Sequence, residues 1–400
     1  MESYSFDVAV VGAGPAGSTA ANILSGKGFK TVLIDRRKRI GVPIQCAEFL
    51  PTPAEIKDIF PRSRYMPKLV DVPSEFVTNR TSQTSLISPD GHAVDFSFKT
   101  NIIDRSKYDL HLAQQAIDAG CDLHLSSLVT ERSLSNFLSM RTSSGRRQLH
   151  SNIVIGADGP SSLISKTLGN YYTDVDRDLS LSLNYLMSGV ECDEDKVLLF
   201  FGKNIAPGGY CWIIPKGGSK ANVGFGLRKS LSVPGISLTT YMKNFISKNK
   251  IAAPMLKKAK ILSRVGALIP MAGPVPHTYS ENAVLVGDAA GHVMASNGGG
   301  IPQALGGGYI AGHVTASHLE KGTNLSAYEK IWRNEFGYEL DSAVSILRIA
   351  DGIMSSDPLT NICMRLAGRQ FLEPLIRCRL PLPVEFVSKT FVRVFNLLIN

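Results

Sequence analysis

Residues 6–11 (FDVAVV) form a short, valine-rich apolar run that stops abruptly at Gly12-Ala13-Gly14-Pro15-Ala16-Gly17, and a helix-forming stretch follows at once. A second apolar run, residues 31–34, ends on Asp35 and Arg36. Few folds accommodate this order of strand, tight turn, helix and second strand with an acid at its tip. Gly12 permits the turn, Gly14 leaves room for a pyrophosphate against the backbone, and Gly17 lets helix and strand approach closely. Pro15 and Ala16 open a helix whose free N–H groups face phosphate, and Asp35 is the expected acceptor for ribose hydroxyls, with Arg36 beside it. The unit predicts a Rossmann-type nucleotide-binding domain and does not separate NAD from FAD.

The 400 residues exceed what one hydrophobic core usually supports, and 44% apolar with 19% charged residues is the composition of a globular protein. The formal net charge of +9 suits an anionic partner such as a phosphate, a nucleotide or an acidic membrane surface. The one long basic run, Arg36-Arg37-Lys38-Arg39, is bounded by Asp35 and not interleaved with aromatics, which argues against nucleic acid. Six cysteines without a C-x-x-C pair are too sparse for a disulfide framework, so a reducing, cytoplasmic setting is expected, with no metal site. No signal peptide is expected before the first strand, since residues 1–5 lack a charged region followed by an apolar one. The long uncharged stretch from residue 289 to 319 contains many glycines, Asn297, Gln303 and the histidines 292, 313 and 318, and predicts a buried glycine-rich segment and not a membrane span.

Two further strands end on short motifs: residues 152–159 (NIVIGADG) close on Ala157-Asp158-Gly159, and residues 283–287 (AVLVG) run into Gly287-Asp288-Ala289-Ala290. With Arg105 in DRSKYDLHL, this set resembles the glutathione-reductase-like FAD superfamily of aromatic hydroxylases, halogenases and geranylgeranyl reductases over roughly residues 5 to 330. The resemblance implies non-covalent FAD, with Arg105 near its phosphates and Asp158 in a structural place within the domain and among the cofactor-binding candidates, as is Gly287. Asp288, at the end of an apolar strand with small residues opening a helix after it, is expected to bond a ribityl hydroxyl. Gly298-Gly299-Gly300 lets backbone lie against a planar ring, and a helix beginning at Ile301 puts its positive end by the pyrimidine edge.

Between these segments, residues 65–99 and 180–230 show short β-rich runs with turns at Pro89-Asp90-Gly91 and Lys216-Gly217-Gly218, which predicts an antiparallel sheet. Tyr210-Cys211-Trp212-Ile213-Ile214-Pro215 resembles both the Y-x-W-x-F-P of geranylgeranyl reductases and the W-x-W-x-I-P of halogenases. Tyr210 and Trp212, two apart on a strand, share a face and form either an aromatic wall beside the flavin or ordinary core. Val42-Pro43-Ile44-Gln45-Cys46-Ala47-Glu48 resembles the V-P-x-x-C-G/A-E element of the geranylgeranyl reductases, and no halogenase G-E-S-T-x-P occurs. The resemblance therefore points to that family, with Cys46 and Ala47 at the flavin and Cys46, Tyr210 and Trp212 as the catalytic candidates. One departure is Ala295, where family members carry a proline. His292 is either an acid or a satisfied loop histidine.

The expected architecture is α/β. A mixed-sheet Rossmann-type FAD domain is assembled from residues 1–64, 100–170 and 265–325; an antiparallel substrate domain from 65–99 and 171–264; and a C-terminal helical region covers 326–400. The last segment puts Val384, Val387, Phe391, Val394, Phe395 and Leu398 on one helical face with Lys389 and Arg393 on another, which suits either docking on an anionic bilayer or packing on the chain's own domain. The implied activity is saturation of isoprenoid double bonds in a prenyl lipid or diphosphate by reduced FAD. A flavin monooxygenase or halogenase and a non-catalytic prenyl-binding protein are the alternatives. No second G-x-G-x-x-G occurs, so NADPH bound transiently, ferredoxin or another reduced carrier remain open as electron donor.

Overall fold

The computed structural model describes residues 4–170 and 174–379. Its first sheet has the order Asp122–His124, Thr31–Ile34, Tyr4–Val11, Gly145–Gly156, Phe137–Thr142, Leu128–Arg132, with Ala283–Leu285 also paired to Gly145–Gly156. The pairs among the first four strands are parallel, and the last two strands add an antiparallel hairpin. Parallel strands covered on both sides read as continuous apolar runs, and Thr31–Ile34 is buried at every position.

Helix Pro15–Gly26 follows the first strand. A Cβ on Gly12 (φ +109°) would lie 2.1 Å from the Ala157 carbonyl oxygen, so no other residue fits the turn. Helix Ile301–Lys321 crosses helix Pro15–Gly26 through a second close approach, where a Cβ on Gly308 would lie 2.2 Å from the Ala16 oxygen. The glycine-rich stretch is thus a buried interior helix, and among the described residues no helix is long and apolar enough to cross a membrane.

The second sheet has the order Lys260–Pro270, Leu179–Ser188, Lys220–Arg228, Tyr210–Gly217, Lys196–Phe200, Val77–Ile87, Ala93–Ile103, Phe49–Pro51. Both expected turns are hairpins, one joining Val77–Ile87 to Ala93–Ile103 and the other Tyr210–Gly217 to Lys220–Arg228. One pair departs from the antiparallel expectation: Lys196–Phe200 runs parallel to Val77–Ile87, because the chain reaches it by a long crossover and not by a hairpin. The sheet also takes in Phe49–Pro51 and continues through Ile103 and Pro270, so its membership crosses the expected domain borders there. Residues 42–48 form part of the connection between strand Thr31–Ile34 of the first sheet and strand Phe49–Pro51 of the second.

Helices Ser326–Trp332, Tyr338–Met354 and Asp357–Ile376 follow, the first two joined by a π turn at Arg333–Gly337. They bury Tyr328, Trp332 and Phe336 completely. The amphipathic segment expected at residues 384–399 lies outside the described residues.

Candidate active site

A cavity of about 590 Å³ lies between the two sheets, within the range of small-molecule sites. The cofactor and catalytic candidates singled out from the sequence line it except Gly17, whose Cβ would fall 1.9 Å from the Gly12 oxygen and which is a packing glycine; His292 does not reach it. One side of the cavity is backbone. Gly14 caps helix Pro15–Gly26, and a Cβ there would meet nothing within 4 Å, so the space in front of the helix N-terminus is open. Gly298 has φ +72°, and Gly300 caps helix Ile301–Lys321.

The turn after the third motif differs from expectation. Gly287–Ala290 makes a single 3₁₀ turn and stops at Gly291 (φ +68°), where a Cβ would lie 2.3 Å from the Gly273 oxygen. The helix N-terminus at the cavity therefore belongs to Ile301, ten residues downstream of Gly291. Among the described residues no group hydrogen-bonds the Asp288 carboxylate, and burial, only partly offset by the Arg105 charge, pushes its pKa up to about 6. An acid aimed into a cavity without a protein partner fits a hydroxyl-bearing ligand.

The other acids are engaged. Asp35 accepts from the Ala13 N–H at 2.8 Å and from the Arg37 fork at 2.9 and 2.7 Å. Burial works against its charge, but the Arg37 hydrogen bonds prevail and hold its pKa below the ordinary value. The sequence missed Arg37, which takes the partner role beside Arg36. Asp158 lines the cavity, but its carboxylate accepts the Leu163 N–H at 2.7 Å and the Ser162 hydroxyl and so caps helix Leu163–Thr167. Arg105, at the start of helix Arg105–Asp118, forks onto Asp109 at 2.6 and 2.8 Å.

The opposite side is made of side chains. Tyr210 and Trp212 share a face as expected, their ring centres 5.9 Å apart. Each is pinned by its polar end: the Tyr210 hydroxyl donates to the Asn297 oxygen, and Trp212 Nε1 donates to Asn184 Oδ1 at 3.0 Å. Phe49, Ile56, Ile59, Phe60, Phe98 and Leu199 continue the wall as an apolar arm.

Cys46 lies in the loop between the two sides, where its sulfur accepts the Glu48 N–H at 3.1 Å. Burial raises the thiol pKa and outweighs the nearby Arg105 charge, so the thiol stays protonated at neutral pH. Glu48 (φ +65°, 1% exposed) anchors this loop. Its carboxylate accepts the Arg105 N–H at 3.0 Å, the Asn222 amide at 2.9 Å and the Lys216 ammonium. Asn184 donates to Asn222 at 3.0 Å, which joins the Cys46 loop to Trp212. Sequence reasoning missed Lys216, Asn184 and Asn222; the only signal was the acid two residues after Cys46. His292 is neither of the two alternatives weighed for it: it is fully buried against Trp332 and Phe336, neither ring nitrogen has a partner, and burial lowers its pKa to about 3.

Comparison with known proteins agrees with this layout. Residues 178–269 match the family described as geranylgeranyl reductase catalytic domain, and residues 10–56 match the NAD(P)-binding Rossmann-like domain. Digeranylgeranylglycerophospholipid reductase 2 of Methanopyrus kandleri is 32% identical, covering 92% of each chain, and the reductase 2 of Methanococcoides burtonii is 31% identical over 85% of this chain and 83% of its own. A crystal structure of a geranylgeranyl bacteriochlorophyll reductase-like protein from Thermoplasma acidophilum superposes with a TM-score of 0.76 at 26% identity, covering 89% of both chains. A flavin-dependent brominase superposes at 0.70 with 16% identity, a likeness of fold alone. With one relative above 30% identity matched along nearly its whole length, and the catalytic-domain match falling on the strands that carry Tyr210 and Trp212, the chain belongs to the geranylgeranyl reductase family.

Proposed function

We propose that this protein is an FAD-dependent reductase that saturates isoprenoid C=C bonds in a prenyl lipid, as the names of its relatives suggest for them. The observation that carries the reading is the two-sided cavity, with a backbone cradle for a dinucleotide on one side and an apolar arm on the other, meeting at Cys46. The cradle fits FAD: the open space before Gly14, the partnerless Asp288 and the glycines before Ile301 match a pyrophosphate, a ribityl chain and a flat ring in turn. Gly12 to Ala16, Arg36, Arg105, Asp288 and residues 298–301 would hold it, with Asp35 acting through the Ala13 N–H or on ribose. Reduced flavin supplies a hydride from N5 when bound.

The residues around it supply the rest. Saturating an alkene takes a proton on the carbon next to the one that accepts hydride, and Cys46, kept as a thiol by burial, is the candidate donor. Tyr210 spends its proton on Asn297 and burial raises its pKa, so it acts with Trp212 as a wall that orients the chain and excludes water. A prenyl lipid resides in a bilayer, and the reading includes peripheral contact with an anionic membrane; loss of vesicle co-sedimentation on removing residues 384–400 is the expected result. The test of the reading is anaerobic single turnover of dithionite-reduced protein with prenyl substrates. Mass gains of one hydrogen pair per double bond support it; an unchanged substrate, or oxygen or halogen incorporated under air, would sink it.

A further inference from the structure

The C-terminal helices touch the cavity at one point. Among the described residues beyond Ala304, only Ile376 lines it. Ile376 ends helix Asp357–Ile376, a helix broken at Gly368 (φ +57°), and the next three residues are tied down on both sides. Arg377, with its side chain 11% exposed, reaches Glu55 Oε2 at 2.9 Å and Asp58 Oδ2 at 3.1 Å, donates to the Ser97 oxygen at 3.1 Å and lies 5.0 Å over the Phe98 ring. Arg379 pairs with Asp58 at 2.7 Å, and the Cys378 sulfur sits 3.1 Å from the Ser296 hydroxyl.

These partners are not scattered. Glu55 and Asp58 lie on helix Pro53–Ile59, whose Ile56 and Ile59 line the apolar arm, and Phe98 lines it too. One guanidinium therefore clamps the end of helix Asp357–Ile376 to helix Pro53–Ile59 and to the strand of Phe98, which form part of that arm. A planar fork held by three carboxylates, Glu55, Asp58 and Glu373 of its own helix, and stacked on an aromatic ring has little freedom, so the residue before it is held in place.

We propose that Ile376 determines how long a prenyl chain the cavity accepts, with Arg377 as the positioning residue that keeps it in the wall; this rests on the reductase reading above. A prenyl chain lying along Phe49, Phe98 and Ile59 meets Ile376, the wall group that the described C-terminal helices contribute. Filling that place shortens the arm, and emptying it lengthens the arm. The chemistry is unchanged: each double bond takes one hydride and one proton, whatever the chain length.

The experiment uses the FAD-loaded full chain and two substrates, geranyl diphosphate and geranylgeranyl diphosphate, the first half the length of the second. The readout is the ratio of kcat/KM for the long chain to that for the short one. Ile376→Trp lowers the ratio by about tenfold, the scale of one pocket group in a hydrophobic site. Ile376→Ala, which only removes atoms, moves it the other way, mostly through KM. Arg377→Leu follows Ile376→Ala, and Arg377→Lys, which keeps the charge without the fork, recovers part of the wild-type ratio. A ratio unchanged by both Ile376 variants in protein that still reduces prenyl chains would overturn the inference and leave the reading intact. Wild-type protein that reduces neither these diphosphates nor the prenyl lipids of the single-turnover test overturns the reading, and the inference with it.

Discussion

The two sides of the cavity are built from different materials. The dinucleotide side is backbone: glycines 12, 14 and 298–300 and the starts of two helices, each read from a few consecutive residues. The opposite side is side chain, drawn from strands Phe49–Pro51, Ala93–Ile103, Lys196–Phe200 and Tyr210–Gly217 and from helix Pro53–Ile59. Backbone geometry tolerates almost no change at a close approach, whereas a side-chain wall can be repacked. The difference teaches where to expect loss of fold, loss of cofactor or a change of chemistry.

The largest effects separate two glycines of one motif. Gly12→Val forces a side chain onto the Ala157 carbonyl at φ +109° and should cost about 3 kcal/mol or more, seen as loss of soluble protein or a much lower Tm. Gly14→Val points into open space and should change flavin-free stability by less than about 1 kcal/mol while abolishing FAD binding by absorbance and fluorescence titration. Equal loss of stability in both variants would break the distinction between a packing glycine and a cradle glycine.

On the side-chain side, the greatest expected loss is at Glu48. Glu48→Leu leaves the Lys216 ammonium without its carboxylate and strips one of the two hydrogen bonds of the Asn222 amide, which keeps the Ala47 oxygen, and should destabilise by about 3 kcal/mol in urea unfolding. The double change with Lys216→Met should recover a good part of it. A single variant as stable as wild type would mean that the Cys46 loop does not depend on this anchor.

Cys46→Ala and Cys46→Ser sharpen the comparison at the meeting point of the two sides. Both should keep FAD and accept electrons, yet reoxidise with prenyl substrate about a hundredfold more slowly in stopped flow, since a positioned acid contributes on that scale. Full turnover in both would remove the thiol from the chemistry and leave Cys46 as a packing residue.

The smallest effect is a pH dependence in flavin-free protein. The Asp288 pKa of about 6 lies above the ordinary 3.8, so the folded state holds its proton more tightly than the unfolded chain. Stability therefore falls as pH rises across that interval. Asp288→Asn should melt a few degrees higher than wild type above pH 6, with the difference gone near pH 4. Parallel melting curves at both pH values would contradict an uncompensated carboxylate.

The nucleotide cradle was legible because its chemistry is local. A turn, a strand tip and a helix start are made by neighbours in sequence, and glycine at Gly12 and Gly14 is required by backbone geometry alone. Cys46, Tyr210 and Trp212 were legible as candidates through resemblance to a family. Their partners were not: Glu48 and Lys216 meet across 168 positions, and Asn297 accepts from Tyr210 across 87. No periodicity records such a meeting, since only the assembly of the second sheet from distant strands, and its packing against the loop before Ile301, bring those groups together.

The sequence by itself determined the strand, glycine turn and helix of a Rossmann-type unit, the largely buried character of residues 289–319, and the shared face of Tyr210 and Trp212. Tertiary structure decided the rest. It assigned Arg37 and the Ala13 N–H to Asp35, turned Asp158 into a helix cap, closed the turn after Asp288 within four residues, buried His292 among aromatics, and brought Ile376 into the cavity wall. The physical reason is common to all of these: backbone conformation is set by neighbours along the chain, whereas the partner of a charge or the neighbour of an apolar group is set by whatever the packed fold brings within a few ångströms.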